Sequence, residues 1–388
     1  MKKLVSLENF AYLTLLAMPA YLVRFSFLGM PTNLFEILAL VTMGLFVKHA
    51  LSSKIELGGY KMYIMPVGMI LVGLVLSTLY NEAGKNGWGI VKSWFVVPLL
   101  FAWVCAQLFE NKKTILRAIY YSAFGVACVA LGYFFLGQVT FDGRLQAFYN
   151  SPNYLAMYLA PAILIGIFLI KENRKFYLRS LGVLGLALYL TQSYAAWLSI
   201  LMALFIVALS RQEKLGWKKI VAVLFVGGSF FLLQTGTPKL ANLLHPTERS
   251  STSSRLMIWK SALKIGWDNP VLGIGPGNFQ QQYLDYQKYF PPYLEWAVPQ
   301  PHNLFLALWL QVGLLGLVGF GWLLVVWFQK IISSKEKSIE RYVFLAMMLY
   351  ILLHGLVDTT YFKNDLAVVF WVVIFAIKNP SRGDGNLT

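Results

Sequence analysis

Charge is what this sequence has least of. Only 13% of its 388 residues are charged, against 58% hydrophobic, too few to cover the surface of a water-soluble protein of this size. Acids are the scarcer sign, 17 against 33 bases, which leaves a net charge of +16. Cysteine is almost missing. Cys105 and Cys128 both fall inside apolar runs, which excludes a disulfide framework and thiolate metal spacing. His245, His302 and His354 are scattered and the acids between them isolated, so neither a metal nor any other cofactor is expected. The glycine run Gly273-Ile274-Gly275-Pro276-Gly277 has no strand before it and is interrupted by Pro276; it is not a dinucleotide fingerprint. No internal repeat stands out.

What the chain has instead is apolar length. Stretches of about 17 to 25 apolar residues are long enough to span a bilayer. Twelve spans are expected, at roughly 9–29, 33–50, 62–80, 89–109, 114–136, 153–170, 177–191, 194–210, 217–233, 302–329, 340–357 and 366–378. The run 177–210 is divided at Thr191-Gln192-Ser193. If Lys2 and Lys3 lie inside, then so do Lys48, Lys112, Lys113, Arg117, Arg174, Lys218, Lys330 and Arg341, and in all 22 of the 33 Lys and Arg. This is the positive-inside pattern with both termini cytoplasmic. The +16 charge therefore reports membrane orientation, and nucleic acid is not an expected partner. Lys2-Lys3 and the apolar run after them resemble a signal peptide, but Ala17-Met18-Pro19-Ala20 is a poor cleavage site. The expected fold class is an all-α polytopic membrane protein, a single membrane domain over 1–388. It carries a large extracytoplasmic loop at 234–301 with short amphipathic helices, and a disordered cytoplasmic tail at 379–388.

Long loops in compact proteins usually do something. In the large one, Ser250 to Ser254 offer capping hydroxyls. Leu256, Trp259 and Leu263 then recur at helical spacing, and Gly266 is expected to end the helix. Arg255 would stand in its first turn, where the helix dipole repels a cation unless an anion lies between. Arg144 stands in the smaller outer loop, 137–152, shortly before Asn150-Ser151-Pro152-Asn153 opens a span. Two arginines near helix starts fit a phosphate or pyrophosphate site; salt bridges from Arg144 to Asp142 and from Arg255 to Glu248 would explain them equally well. Tyr283, Tyr286, Tyr289, Phe290, Tyr293 and Trp296 suit either an interfacial aromatic belt or a sugar.

His302 is the most informative residue. In Pro299-Gln300-Pro301-His302-Asn303 the two prolines stop a helix from extending backward. His302 is therefore expected in the first turn of a span, at the water boundary. The positive end of the helix dipole disfavours the imidazolium there, and a neutral imidazole can accept a proton from a substrate. The alternative is a histidine that only caps its helix.

Several blocks, in order, resemble the bacterial O-antigen ligases and O-antigen polymerases. They are Gly143-Arg144-Leu145 through Phe148 with Ser151-Pro152-Asn153; Ser254-Arg255, Trp259, Asn269-Pro270 and Gly273 through Phe279; and His302-Asn303 followed after nine residues by Gly313-Leu314-Leu315-Gly316. The resemblance covers roughly residues 140–360. It implies a GT-C type glycosyltransferase of the bacterial inner membrane, in cell-surface polysaccharide biosynthesis. Such an enzyme moves a glycan from undecaprenyl diphosphate on the outer leaflet to a hydroxyl of a glycan, lipid or protein acceptor, with no metal or nucleotide. It implies His302 as the catalytic residue and Arg144, Arg255, Asn303, Trp259 and Tyr194 as substrate-binding residues. One position departs. Relatives often carry Ser-Arg in the turn before the eighth span, where this chain has Ser193-Tyr194. A phenol cannot replace a permanent cation, so either another cation, Lys92 or Lys260, supplies the charge, or substrate handling differs. A lipid-linked sugar flippase would instead bury cations within its spans, where Arg24 is the main candidate. A peptidoglycan polymerase relative of the shape and division type would rely on an outer acid such as Asp268, Asp285 or Glu295.

Overall fold

The apolar runs fold as helices packed side by side, with loops gathered at two ends. The computed structural model describes residues 2–27, 29–51, 58–210, 228, 235, 240–241, 251–291, 298–334 and 338–378. The expected span 217–233, Glu248, His245, Tyr293, Glu295, Trp296 and the tail 379–388 lie outside the described residues. In chain order the elements are α1 Lys2–Leu16, β1 Arg24–Phe27, β2 Met30–Asn33, α2 Leu34–Ala50, α3 Lys61–Tyr80, α4 Gly84–Ile90, α5 Val97–Leu108, α6 Lys112–Phe135, α7 Pro152–Leu169, α8 Arg174–Leu190 and α9 Tyr194–Ser210. There follow α10 Ser251–Asp268, α11 Phe279–Tyr286, α12 Leu304–Ser333, α13 Ile339–Gly355 and α14 Asn364–Phe375. Among the described residues, five helical stretches are long and apolar enough to cross a membrane: 61–80, 84–108, 112–135, 152–169 and 304–333. Helices α9 and α14 are apolar but shorter. The chain is thus a helical, multi-pass membrane protein.

Helix starts follow local chemistry. Ser151 accepts from the Asn153 amide with Pro152 in the first turn of α7, and Asn33, Asn111, Asn173 and Ser338 cap α2, α6, α8 and α13 in the same way. Each side-chain oxygen satisfies an amide that has no partner within its own helix. The division at Thr191-Gln192-Ser193 is real: α8 ends at Leu190 and α9 begins at Tyr194.

Three expectations are corrected. The first span ends at Leu16, and Arg24–Asn33 form an antiparallel hairpin, Arg24 opposite Asn33 and Phe27 opposite Met30. Alternating Arg24, Phe25, Ser26 and Phe27 carry a strand period that a count of apolar residues cannot see. Arg24 is therefore exposed on a hairpin and not mid-span. Second, the helix at 251–268 passes through Gly266, because the Trp309 ring lies where a side chain would go, 2.6 Å from an ideal Cβ. Third, the longest apolar run is not one continuous helix. Gly313 sits at φ 68°, ψ −175°, which only glycine tolerates readily. The Leu314 amide donates to the Val271 carbonyl at 2.8 Å, and the Ile274 amide to that of Leu310 at 2.8 Å. The glycine-rich loop thus satisfies backbone groups that the break releases. A Cβ on Gly313 would lie 2.4 Å from the Val271 oxygen, and one on Gly73 2.5 Å from the Val312 oxygen, so α3 and α12 touch backbone to backbone.

The two ends of the bundle differ. One gathers Lys113, Glu172, Arg117 and Glu340 in ion pairs, beside a small cavity of about 50 Å³ lined by Lys112, Lys330, Arg341 and Lys378. The other carries the hairpin and the loops 136–151, 191–193, 269–278, 298–303 and 356–363, and with them Arg144, His302 and Asn303.

Candidate active site

The site is assembled by loops and helix starts around one carboxylate, Asp358, which is 1% exposed. His302 Nδ1 lies 3.0 Å from Asp358 Oδ1, which also accepts from the Thr359 amide at 2.9 Å. Oδ2 accepts from Asn153 Nδ2 at 2.9 Å and from Arg255 Nη2 at 3.4 Å. Burial pushes the Asp358 carboxyl up, but the neighbouring imidazole and guanidinium outweigh it and hold the group well below the usual carboxylate range. An ionised carboxylate only accepts, so Nδ1 carries the proton in this contact; in the neutral imidazole the lone pair is then on Nε2. Among the described residues no hydrogen bond engages Nε2, and the His302 side chain is 31% exposed.

His302 is not in the first turn of its span. The helix starts at Leu304, and Asn303 is its cap, its side-chain oxygen accepting from the amides of Phe305 and Leu306 at 3.0 Å each. His302 precedes the cap at φ 49°, an uncommon left-handed conformation for a residue with a side chain. Two contacts hold it there. Trp259 Nε1 donates to the His302 carbonyl at 3.1 Å, and Asn303 Nδ2 donates to the Leu356 carbonyl at 2.8 Å. Trp259 and Asn303, expected at the substrate, thus spend these polar groups on the protein, orienting His302 and tying its loop to the Asp358 loop.

Arg144 is fixed from three sides. Its amide donates to Thr140 Oγ1, its Nε to the Thr191 carbonyl at 2.9 Å, and its Nη2 to Asn153 Oδ1 at 2.8 Å. Asp142 stands 4.0 Å away, so that expected ion pair exists, loosely. Burial lowers the Arg144 pKa from its ordinary value, and the nearby Arg255 charge adds to this; a guanidinium remains a cation regardless. Asn153 links the two halves of the site, taking Arg144 on its oxygen and giving its amide to Asp358. Arg255 is a full turn inside α10 and not at its start, since the helix already begins at Ser251. Its ion-pair partner is Asp358. Tyr194 opens α9, three residues after the Thr191 carbonyl that holds Arg144. Lys92 does not supply the charge missing there: it pairs with the fully buried Glu36 at 2.7 Å. Lys260 is exposed on α10.

Sequence reading missed Asp358 and Asn153 as site residues. Asn153 was visible only as part of a helix-start block. Asp358 follows an apolar run in Leu356-Val357-Asp358-Thr359, 56 residues beyond its histidine, and no local spacing connects the two. The aromatic cluster is divided: Tyr283 is buried in a small core with Ile258, Ile265 and Phe279, Tyr286 donates to Asp268, and Tyr289 is exposed.

Residues 180–321 match the O-antigen ligase family, a segment that contains Tyr194, Arg255, Trp259, His302 and Asn303 but stops short of Asp358. The chain is 25% identical over 294 residues to the O-antigen ligase of Salmonella typhimurium, covering 71% of this chain and 70% of that protein. It is 27% identical over 233 residues to the ComP-specific O-oligosaccharyltransferase of Acinetobacter baylyi, covering 56% of this chain and 41% of that protein. The match thus spans well under half the length of the latter relative. His302, Arg255 and the glycine-rich loop all lie inside the segment that matches the O-antigen ligase family.

Proposed function

We propose that this protein is a ligase-type glycosyltransferase that moves a glycan from undecaprenyl diphosphate to an acceptor hydroxyl at the outer leaflet of the bacterial inner membrane. The observation that carries this reading is the His302–Asp358 pair with an arginine beside it. In the reaction the acceptor O–H gives its proton to His302 Nε2. The acceptor oxygen forms a bond to the anomeric carbon of the donor's first sugar. The bond from that carbon to the diphosphate oxygen breaks, and the lipid diphosphate leaves with the electron pair. Asp358 keeps the proton on Nδ1 and stabilises the imidazolium that forms. Arg255 and Arg144 bind the diphosphate and offset its growing charge. Asn303 and Trp259 hold the histidine, and Tyr194 faces the donor beside Arg144. The diphosphate is already a good leaving group, so we propose that transfer needs neither metal nor nucleotide.

The acceptor is a hydroxyl of a glycan, a lipid or a protein, and a polymerase differs from a ligase only in that acceptor. The flippase reading is weakened because Arg24 lies on an exposed hairpin. Asp268, the acid considered for a peptidoglycan polymerase relative, is paired with Lys264 at 2.7 Å.

The test is transfer from a lipid-linked oligosaccharide by the purified chain in detergent, with and without EDTA. His302→Ala should lower turnover by about 10²- to 10⁴-fold while the protein still folds, and EDTA should leave the parent unchanged. Equal turnover of mutant and parent would remove the base from the mechanism. Activity lost to EDTA and restored by magnesium would show that a cation is part of the site.

A further inference from the structure

The two arginines do not carry much net charge into the site. Arg255 shares Asp358, and Arg144 has Asp142 at 4.0 Å. A diphosphate brought between them needs more positive charge than this pair leaves uncompensated. A third cation stands close by. Lys363 closes the loop that carries Asp358, and its Nζ lies 4.4 Å from the centre of the Tyr154 ring and 5.8 Å from that of Trp94. Tyr154 follows Asn153 in the first turn of α7. Successive side chains on a helix diverge by about 100°, so Asn153 serves Arg144 while Tyr154 faces Lys363.

Lys363 is a half-buried ammonium, and among the described residues no carboxylate lies within ion-pair distance of it. Asp365, the nearest acid in sequence, is engaged by Tyr149 and by the Leu366 amide. Lys92 is engaged by Glu36. The exposed Arg24 of β1 is the other charge acting on Lys363 and has the same sign. Burial lowers the Lys363 pKa to about 8, and Arg24 lowers it further than Asp365 restores it. The aromatic faces stabilise the Lys363 ammonium in part, and a half-buried charge without a carboxylate partner has capacity left for an anion. Beside Arg24 the hairpin exposes Val23, Phe25 and Phe27, an apolar apron suited to a lipid chain.

We propose that Lys363 forms a second cationic subsite, which binds a lipid-borne phosphate group. It rests on the glycosyl-transfer reading for its place beside the reaction.

Undecaprenyl diphosphate and phosphatidylglycerol are the two probes, each titrated into the full chain in phosphatidylcholine nanodiscs. Lys363→Met should weaken binding of undecaprenyl diphosphate by about five- to thirtyfold, and Lys363→Arg should keep it within about threefold of the parent. Loss confined to phosphatidylglycerol would assign the subsite to a bilayer headgroup instead of the donor. Unchanged binding of both lipids in Lys363→Met overturns the subsite. Arg144→Ala, measured alongside, separates the two ideas. If it weakens donor binding and Lys363→Met does not, only the subsite fails; if neither does, the donor-binding reading fails as well. A readout on the parent chain covers a misfolded variant. The ¹³C-dimethyl signal of Lys363, assigned through Lys363→Arg, should titrate at higher pH when undecaprenyl diphosphate is bound, and a titration that does not move also overturns the proposal.

Discussion

Glu36 and Asp358 are both buried carboxylates with a cation beside them, yet they are built differently. Glu36 is 0% exposed, and both of its oxygens are consumed: Lys92 at 2.7 Å and Thr32 at 2.8 Å on one, Asn364 at 3.1 Å on the other. Its lysine is consumed too, by the Pro31 carbonyl and Thr32. Nothing in that group is left to act on a substrate, and it stitches the hairpin to α2, to the segment between α4 and α5, and to the start of α14. Asp358 has its arginine at the looser 3.4 Å, and its second partner is a histidine whose far nitrogen is not engaged. The same chemistry is closed in one place and open in the other. A closed buried pair specifies the fold; an open one has capacity left for a reaction.

That difference is sharpest at Asp358 itself. Asp358→Asn should leave the chain folded and lower turnover by on the order of 10³- to 10⁴-fold. Either rotamer of the amide sets an NH₂ group against a donor, since the carboxylate accepts from His302, Thr359, Asn153 and Arg255. Single-turnover rates on a lipid-linked donor would check it, and a rate within threefold of the parent would reduce Asp358 to a second Glu36.

The opposite outcome is expected at the closed pair. Lys92→Met strands the Glu36 charge and should cost on the order of 3 kcal/mol of stability. The folded fraction should keep its turnover. Thermal unfolding in detergent together with activity per folded molecule would separate the two effects; a selective loss of turnover would mean that Lys92 is part of the site after all.

Smaller effects are expected from the arginines. Arg255→Ala and Arg144→Ala should each weaken donor binding by roughly ten- to a hundredfold, with lysine restoring only part of it. Arg144 should be the more sensitive to lysine, because it spends Nε and Nη2 on two separate acceptors. Binding of undecaprenyl diphosphate measures both, and equal recovery by lysine at the two positions would contradict the geometry.

The least perturbing test concerns which end of the bundle faces out. In a background with the exposed Cys128 replaced by alanine, Ser251→Cys should react with an impermeant thiol reagent in intact cells and Ser334→Cys should not, with activity unchanged in both. Reversed labelling would put the open carboxylate on the cytoplasmic side.

Much of this was legible in the sequence, because it depends on local chemistry. The helix start at Ser151 follows from one side chain and one amide, and the α8–α9 division follows from three polar residues in an apolar run. His302, Arg144 and Arg255 could be singled out as polar groups that need a reason to stand near helix starts. What could not be read was distance across the fold. Asp358 acquires its meaning from His302 and Asn153, 56 and 205 residues away. The hairpin at Arg24–Asn33 hid inside an apolar average, and the interruption at Gly313 inside a run without a charge, because its cause is a carbonyl on another segment.

The interruption has a consequence for biosynthesis. Emerging from the ribosome, Leu304–Ser333 is one uninterrupted hydrophobic stretch, and the insertion machinery can take it up as a single straight helix. Its bend becomes stable only when Val271 and Ile274, synthesised earlier, come to meet Leu310 and Leu314. His302 lies upstream of that bend, and Asp358 is made after it. The reactive pair therefore cannot form until the chain has been made past this bend, as far as Asp358.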